Sequence, residues 1–205
     1  MKTRQKIIKE SLFLFNQTTF ESSTTNLIAE KSEVLEGSLW YHFNSKNDLV
    51  STHLEMFDEE FHLRQKDSVS EDPKTLILGL FGAYEIFWDY RYLMRDSFEQ
   101  VSRDLPALYS KIVEANSYVD EWAQTMILRA RDIGVLLIND EDVESIVEIS
   151  LIISRHWLDY SMKKYPNDSP PHLRKKGINL LIKSLYPYLS LESKEIIEEF
   201  TSSAR

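Results

Sequence analysis

The chain has no cysteine, and only five glycines and six prolines among its 205 residues. Without thiols there is no disulfide framework, no cysteine-ligated zinc finger, no CxxC redox motif and no thiol nucleophile, and such usage fits a reducing compartment. Scarcity of glycine and proline, the residues that punctuate turns, favours helices over the many short strands of a sandwich or barrel. Long apolar runs are missing too. The N-terminal MKTRQKIIKE mixes charge with aliphatics, and only the four apolar residues Leu12 to Phe15 follow closely. The expectation is therefore no secretory leader, no contact with a membrane and a cytoplasmic location. What the chain does have is 42% hydrophobic residues, and a chain of this length buries enough surface for a core without staples.

Positive charge is also in short supply, with a net of −9, but the deficit is uneven. Residues 1–47 carry Lys2, Arg4, Lys6, Lys9, Lys31 and Lys46 against Glu10, Glu21, Glu30, Glu33 and Glu36, a net of +1, so the remainder holds −10. An acidic body behind a non-acidic head suits a small DNA-reading module joined to a domain that stays off DNA.

Periodicity predicts an all-α chain. Ile8, Leu12 and Phe15 fall at i, i+4, i+7 in a first amphipathic helix, with Ile7, Ser11 and Leu14 as its flanking row. Ser22 to Thr25 supply caps for a short second helix around Leu27, Ile28 and Ala29. A break near Ser32-Glu33-Val34 precedes a third segment from Gly37 to Phe43, where Leu39 and Phe43 face inward and Ser38, Trp40 and His42 do not. A longer helix starts near Asp48 and runs through Gln65. Beyond Pro73, the prolines divide the chain into helices expected at 74–102, 106–116, 118–137, 140–165, 172–186 and 192–202.

Three short helices with a tight break between the second and third describe a helix-turn-helix, whose last helix enters the major groove. The run Thr24-Thr25-Asn26-Leu27-Ile28-Ala29, then Val34, then Gly37-Ser38-Leu39-Trp40-Tyr41-His42-Phe43, then Ser45-Lys46-Asn47-Asp48-Leu49 resembles the N-terminal DNA-binding domain of the tetracycline-repressor (TetR) family over roughly residues 4–54. The resemblance implies a helix-turn-helix domain over 1–54 and a helical ligand-binding and dimerisation domain over 55–205. It also implies a homodimer on a double-stranded, pseudo-palindromic DNA operator; the expected function is a repressor released by an apolar or aromatic small molecule, and no cofactor is expected.

Roles follow by position. Thr24 or Thr25 caps the second helix and, with Asn26, can clamp a phosphate. Gly37 lets the backbone approach DNA or the preceding helix. Ser38, Trp40 and His42 project towards base edges, sugars or phosphates, with Tyr41 beside them. Lys46 is the expected phosphate contact, joined by Arg4 and Lys6. Three residues depart from the family pattern: Glu33 stands where glycine is usual in the turn, Leu35 where a Ser or Thr cap is usual, and Glu36 where Lys or Arg is common. Two carboxylates thus flank the reading helix and weaken its attraction for phosphate.

In the body, FGAYEIFWDYRYLMRDSF over 81–98 is rich in rings, with Phe81, Tyr84 and Trp88 at i, i+3, i+7. Such a surface packs a core or lines a cavity. Tyr84, Trp88, Tyr92, Phe98, Trp122 and Trp157 are the candidate ligand-binding residues. Arg91 and Arg95, one turn apart, could hold a carboxylate or pair locally with Asp96 and Glu99. The helices at 140–165 and 172–186 are apolar on more than one face, which suits a four-helix interface between two subunits. The other function classes are a helical binding module that no longer reads DNA and a helical-bundle enzyme. Glu59 and His62 form one ExxH pair, but a di-iron bundle needs two such pairs and further glutamates. No HExxH, GxGxxG, P-loop or GxSxG occurs, so neither a catalytic nor a metal site is assigned.

Overall fold

A computed structural model describes residues 2–67 and 70–203 of the chain. In chain order the helices are α1 (Thr3–Gln17), α2 (Thr25–Lys31), α3 (Glu36–His42), α4 (Lys46–Asp67), α5 (Pro73–Asp89), α6 (Arg91–Arg95), α7 (Glu99–Asp104), α8 (Pro106–Asp132), α9 (Asp140–Lys164), α10 (Pro170–Leu185) and α11 (Leu191–Ser203). One isolated antiparallel bridge, Leu136 with Leu189, is the only extended pairing among the described residues. The chain forms two compact units: a head of Met1–Glu60 with Asp89–Asn116, and a body of Phe61–Trp88 with Ser117–Arg205.

The head is built on the stripes read above. Ile7, Phe15, Ile28, Leu39, Leu49, Val50 and Phe57 are fully buried in it. Thr24 caps α2, its hydroxyl accepting from the Leu27 amide at 3.2 Å. The connection from α2 to α3 carries the family departures openly. Glu33 adopts φ 56°, the left-handed region where a Cβ is costly. Leu35 is the N-cap of α3 and offers it no side-chain bond.

The expected helix over 74–102 is instead three helices, α5, α6 and α7. Neither glycine nor proline breaks it. The Asn16 side chain does: its Nδ2 donates to the Asp89 carbonyl at 2.6 Å and its Oδ1 accepts from the Tyr92 amide at 3.0 Å, replacing the bonds a continuous helix would make. Asp96 ends α6 in extended conformation, and its carboxylate accepts from the Phe20 amide at 2.7 Å. Conversely, the helices expected at 106–116 and 118–137 are one helix, α8, because nothing at Ser117 interrupts the ladder.

In the body, α9 starts on Asp140, Glu141 and Asp142 and ends on Lys163 and Lys164, matching the helix dipole at both ends. Ser169 precedes α10 and prolines fill its first turn. Gly177 on α10 meets Tyr84 and Trp157 so closely that a Cβ there would lie 1.9 Å from the Tyr84 hydroxyl. Any side chain would push α10 away.

Candidate DNA interface and ligand cavity

On the head, α3 buries Leu39 and Phe43 and presents Trp40 and Tyr41, 42% and 85% exposed, to solvent, while Ser38 and His42 are half-buried. The Tyr41 and His42 rings meet edge to face at 5.1 Å. Asn26 is exposed on α2, and a Cβ on Gly37 would meet no atom within 4 Å, so packing inside the chain does not call for glycine there. Other members of the predicted set already have partners within the head. Thr25 Oγ1 donates to Glu36 Oε1 at 3.0 Å, linking α2 to α3. Lys6 Nζ pairs with Glu33 at 3.3 Å, and the Arg4 guanidinium lies 5.2 Å from the centre of the Phe43 ring.

Lys46 differs most from its expected role. Its ammonium donates to the carbonyls of Phe20 at 2.6 Å and Ser23 at 3.1 Å and sits 4.1 Å from the centre of the Phe20 ring. Partial burial lowers its pKa, with Glu21 opposing. Lys46 thus fastens the connection between α1 and α2 to the start of α4.

A polar network holds the segment after Asp89 against α1. Arg95 Nη2 donates to the carbonyls of Phe15 at 3.0 Å and Thr18 at 2.6 Å, its Nη1 to Asn16 at 3.3 Å, and its Nε to Asp96 Oδ1 at 2.9 Å. A cation thereby caps the C-terminus of α1, where carbonyls lack helical partners. Beneath it His53 is enclosed: Nε2 faces the Ile8 carbonyl at 3.0 Å, and Nδ1 faces the Tyr92 hydroxyl at 2.9 Å. Since a carbonyl only accepts, the proton sits on Nε2 and Tyr92 donates to Nδ1. Burial lowers the His53 pKa to about 4, against the opposing bond from Ile8, so the ring is neutral near pH 7.

The body contains an apolar cavity of about 100 Å³, lined by α5, α8, α9 and α10 with Phe81, Tyr84, Phe87, Trp122, Leu181 and Leu185 among its walls. Two polar atoms on these wall residues, the Tyr84 hydroxyl and the Trp122 Nε1, are buried and have no hydrogen-bond partner among the described residues. Burial pushes the Tyr84 phenol well up. Such atoms normally find partners.

A family model described as bacterial regulatory proteins of the tetR family matches residues 7–52. A second, described as bacterial transcriptional repressor, matches residues 45–197, more than half of the chain. The chain belongs to the TetR family. A curated relative, the HTH-type transcriptional regulator TcmR of Streptomyces glaucescens, is 32% identical over 83 residues, 40% of this chain and 37% of that protein's length. A TetR-family transcriptional regulator from Marinobacter aquaeolei VT8 shares the fold with TM-score 0.74 at 24% identity, covering 97% of each chain. So does the ketosteroid transcriptional regulator KstR2 of Mycobacterium tuberculosis, with TM-score 0.65 at 18% identity over 92% of this chain and 96% of that one.

Within this TetR-family chain the six candidate ligand residues separate. Tyr84 and Trp122 line the cavity. Trp88 and Trp157 are buried in the body outside its lining, and the Trp157 Nε1 donates to the Leu173 carbonyl at 2.9 Å. Tyr92 and Phe98 are in the head core, their rings 5.9 Å apart, with Phe15 5.1 Å from Tyr92 and Phe20 5.7 Å from Phe98. Ring count along 81–98 could not divide them, because the chain passes from body to head after Trp88. Nothing in the sequence marks the walls from α9 (Ser150, Leu151 and Ser154) and α10 (Leu181, Ile182 and Leu185), as serines and aliphatic side chains carry no chemical signal distinguishing a cavity from a core. No helix among the described residues is long and apolar enough to cross a membrane. Nor do they group three His, Asp or Glu side chains for a metal. His62 of the ExxH pair stacks on Tyr118 at 5.2 Å.

Proposed function

We propose that this regulator works in the cytoplasm as a homodimeric repressor that reads a pseudo-palindromic operator with α3 and leaves it when a small, largely apolar molecule occupies the body. Outward presentation of Trp40 and Tyr41 above buried Leu39 and Phe43 carries the DNA half of the reading. Ser38, Trp40 and His42 discriminate bases, Thr24, Thr25 and Asn26 engage phosphates, and Arg4, Lys6 and Lys46 supply positive charge beside them. The test is quantitative binding to the DNA upstream of the protein's own gene. Trp40→Ala is expected to reorder preference among operator variants, whereas Lys46→Ala weakens all sequences alike and also lowers the stability of the head, because it strands the carbonyls of Phe20 and Ser23. Binding no tighter than to random DNA would reject the reading.

The apolar void supports the ligand half, since an enclosed apolar space of this kind takes a hydrocarbon or aromatic group. For the dimer, Ile149, Ile152 and Tyr160 form an exposed apolar stripe along α9, with Leu180 exposed on α10. Ile182, on the cavity wall, is not such a position. Ile152→Glu is therefore the informative change, expected to give monomers in sedimentation and to lose operator affinity.

A further inference from the structure

We propose that the ligand is an amphiphilic carboxylate, its apolar end in the body cavity and its acid group in a basic groove alongside; this rests on the reading of the body as the sensor. The groove, about 740 Å³, is bounded by α5, α10 and α11 and shares Phe81, Ile182 and Ile197 with the cavity as a common wall. By itself the cavity is smaller than the roughly 150 Å³ void that accepts a benzene ring, so it takes only the end of a chain. The groove has the size of an ordinary small-molecule site. At the common wall, Phe81 stacks on the half-exposed Phe200 with ring centres 5.0 Å apart, so the partition between the two spaces is apolar and a chain that spans both displaces these rings.

Charge selects the head group. Arg64, Arg174, Lys175 and Lys183 line the groove against Glu85 and Glu198. Glu85 lies 4.0 Å from Arg174 and Glu198 accepts from the Tyr186 hydroxyl at 3.2 Å, so four cations stand against two carboxylates and the lining keeps a net positive charge. Gly82 leaves room for the Arg64 guanidinium, which passes 3.3 Å from where a Cβ would stand. The excess of positive charge is local, because the chain as a whole carries −9 while α10 has Arg174, Lys175, Lys176 and Lys183 and no acidic residue. A basic rim beside an apolar void matches an anion with a hydrocarbon chain, and charge-assisted bonds supply the discrimination.

Decanoate and decan-1-ol, titrated calorimetrically into the full-length protein, test this directly. Decanoate is expected to bind at least about tenfold more tightly than the alcohol. Arg174→Glu combined with Lys183→Glu should remove that preference, weakening decanoate far more than decan-1-ol. Ala123→Phe, filling the cavity, should weaken both probes. Should the charge-reversed protein fold poorly, Lys183→Gln alone must still reduce the preference. Equal binding of the two probes, or a preference untouched by charge reversal, overturns the proposal. So does conversion of the Lys183→Glu protein to monomers with decanoate binding unaltered, which would make the groove a subunit contact. Decanoate binding as expected without change in operator affinity supports this site and rejects the sensor reading. Operator release by some other molecule while decanoate fails to bind rejects this site alone.

Discussion

The polar groups buried between α1 and α6 in the head and two of those on the cavity-lining residues of the body are handled in opposite ways. In the head, Asn16, His53, Arg95 and Asp96 are linked to backbone or to one another by bonds of 2.6–3.3 Å, and these tie α6 and its flanks to α1. In the body, the Tyr84 hydroxyl and Trp122 Nε1 are buried on the residues around a void with no bond made. A satisfied network holds one geometry, because every displacement leaves a donor or acceptor stranded in low dielectric. An atom that makes no bond imposes no such constraint, so the packing around it can shift without breaking one. Rigidity thus resides at the contact of α1 with α6, and adaptability around the cavity.

The largest effect expected from breaking this contrast is at Arg95. Its side chain is 9% exposed and that of Asp96 only 2%, so Arg95→Met strands a buried carboxylate and uncaps α1, costing about 3–5 kcal/mol in denaturant unfolding of the head. Next is the acid response of His53. Its folded pKa of about 4 lies below the ordinary value of 6.5, so between these values the unfolded chain takes up a proton that the folded head refuses. Stability from this source is complete above pH 6.5 and declines as pH falls towards 4, by up to about 3 kcal/mol. Unfolding measured across this window should flatten in His53→Gln relative to wild type. A matched pair of deletions then compares the units by the same chemistry. Tyr92→Phe leaves His53 Nδ1 without its donor and should cost about 1–3 kcal/mol, whereas Tyr84→Phe removes a hydroxyl that bonds nothing and should be neutral or slightly stabilising. Equal thermal shifts for the two would erase the distinction drawn here. The smallest effects lie in the departures around α3: Leu35→Ser provides the missing cap and should add about 1 kcal/mol. Glu33→Gly relieves a left-handed backbone worth about 1–2 kcal/mol and sacrifices only an exposed ion pair with Lys6.

Local pattern alone determined the helical class, the first three helices of the head and the facing of α3, since the side on which Leu39, Trp40 or Phe43 lies depends only on helical period. The spacing of that run was also enough to reveal the family. Two of the six ring residues chosen for the ligand site, Tyr84 and Trp122, line the cavity, but nothing local separated them from Trp88, Trp157, Tyr92 and Phe98. Tertiary structure decided that division through bonds between distant residues. Asn16 ends α5 from 73 positions away, Lys46 turns to carbonyls more than twenty positions earlier in the chain, and Gly177 admits Tyr84 from another helix. Periodicity reports which face of a helix is apolar; it contains no information about which remote side chain will satisfy a backbone group there, and that choice set where the long aromatic segment breaks and which of its rings face the void.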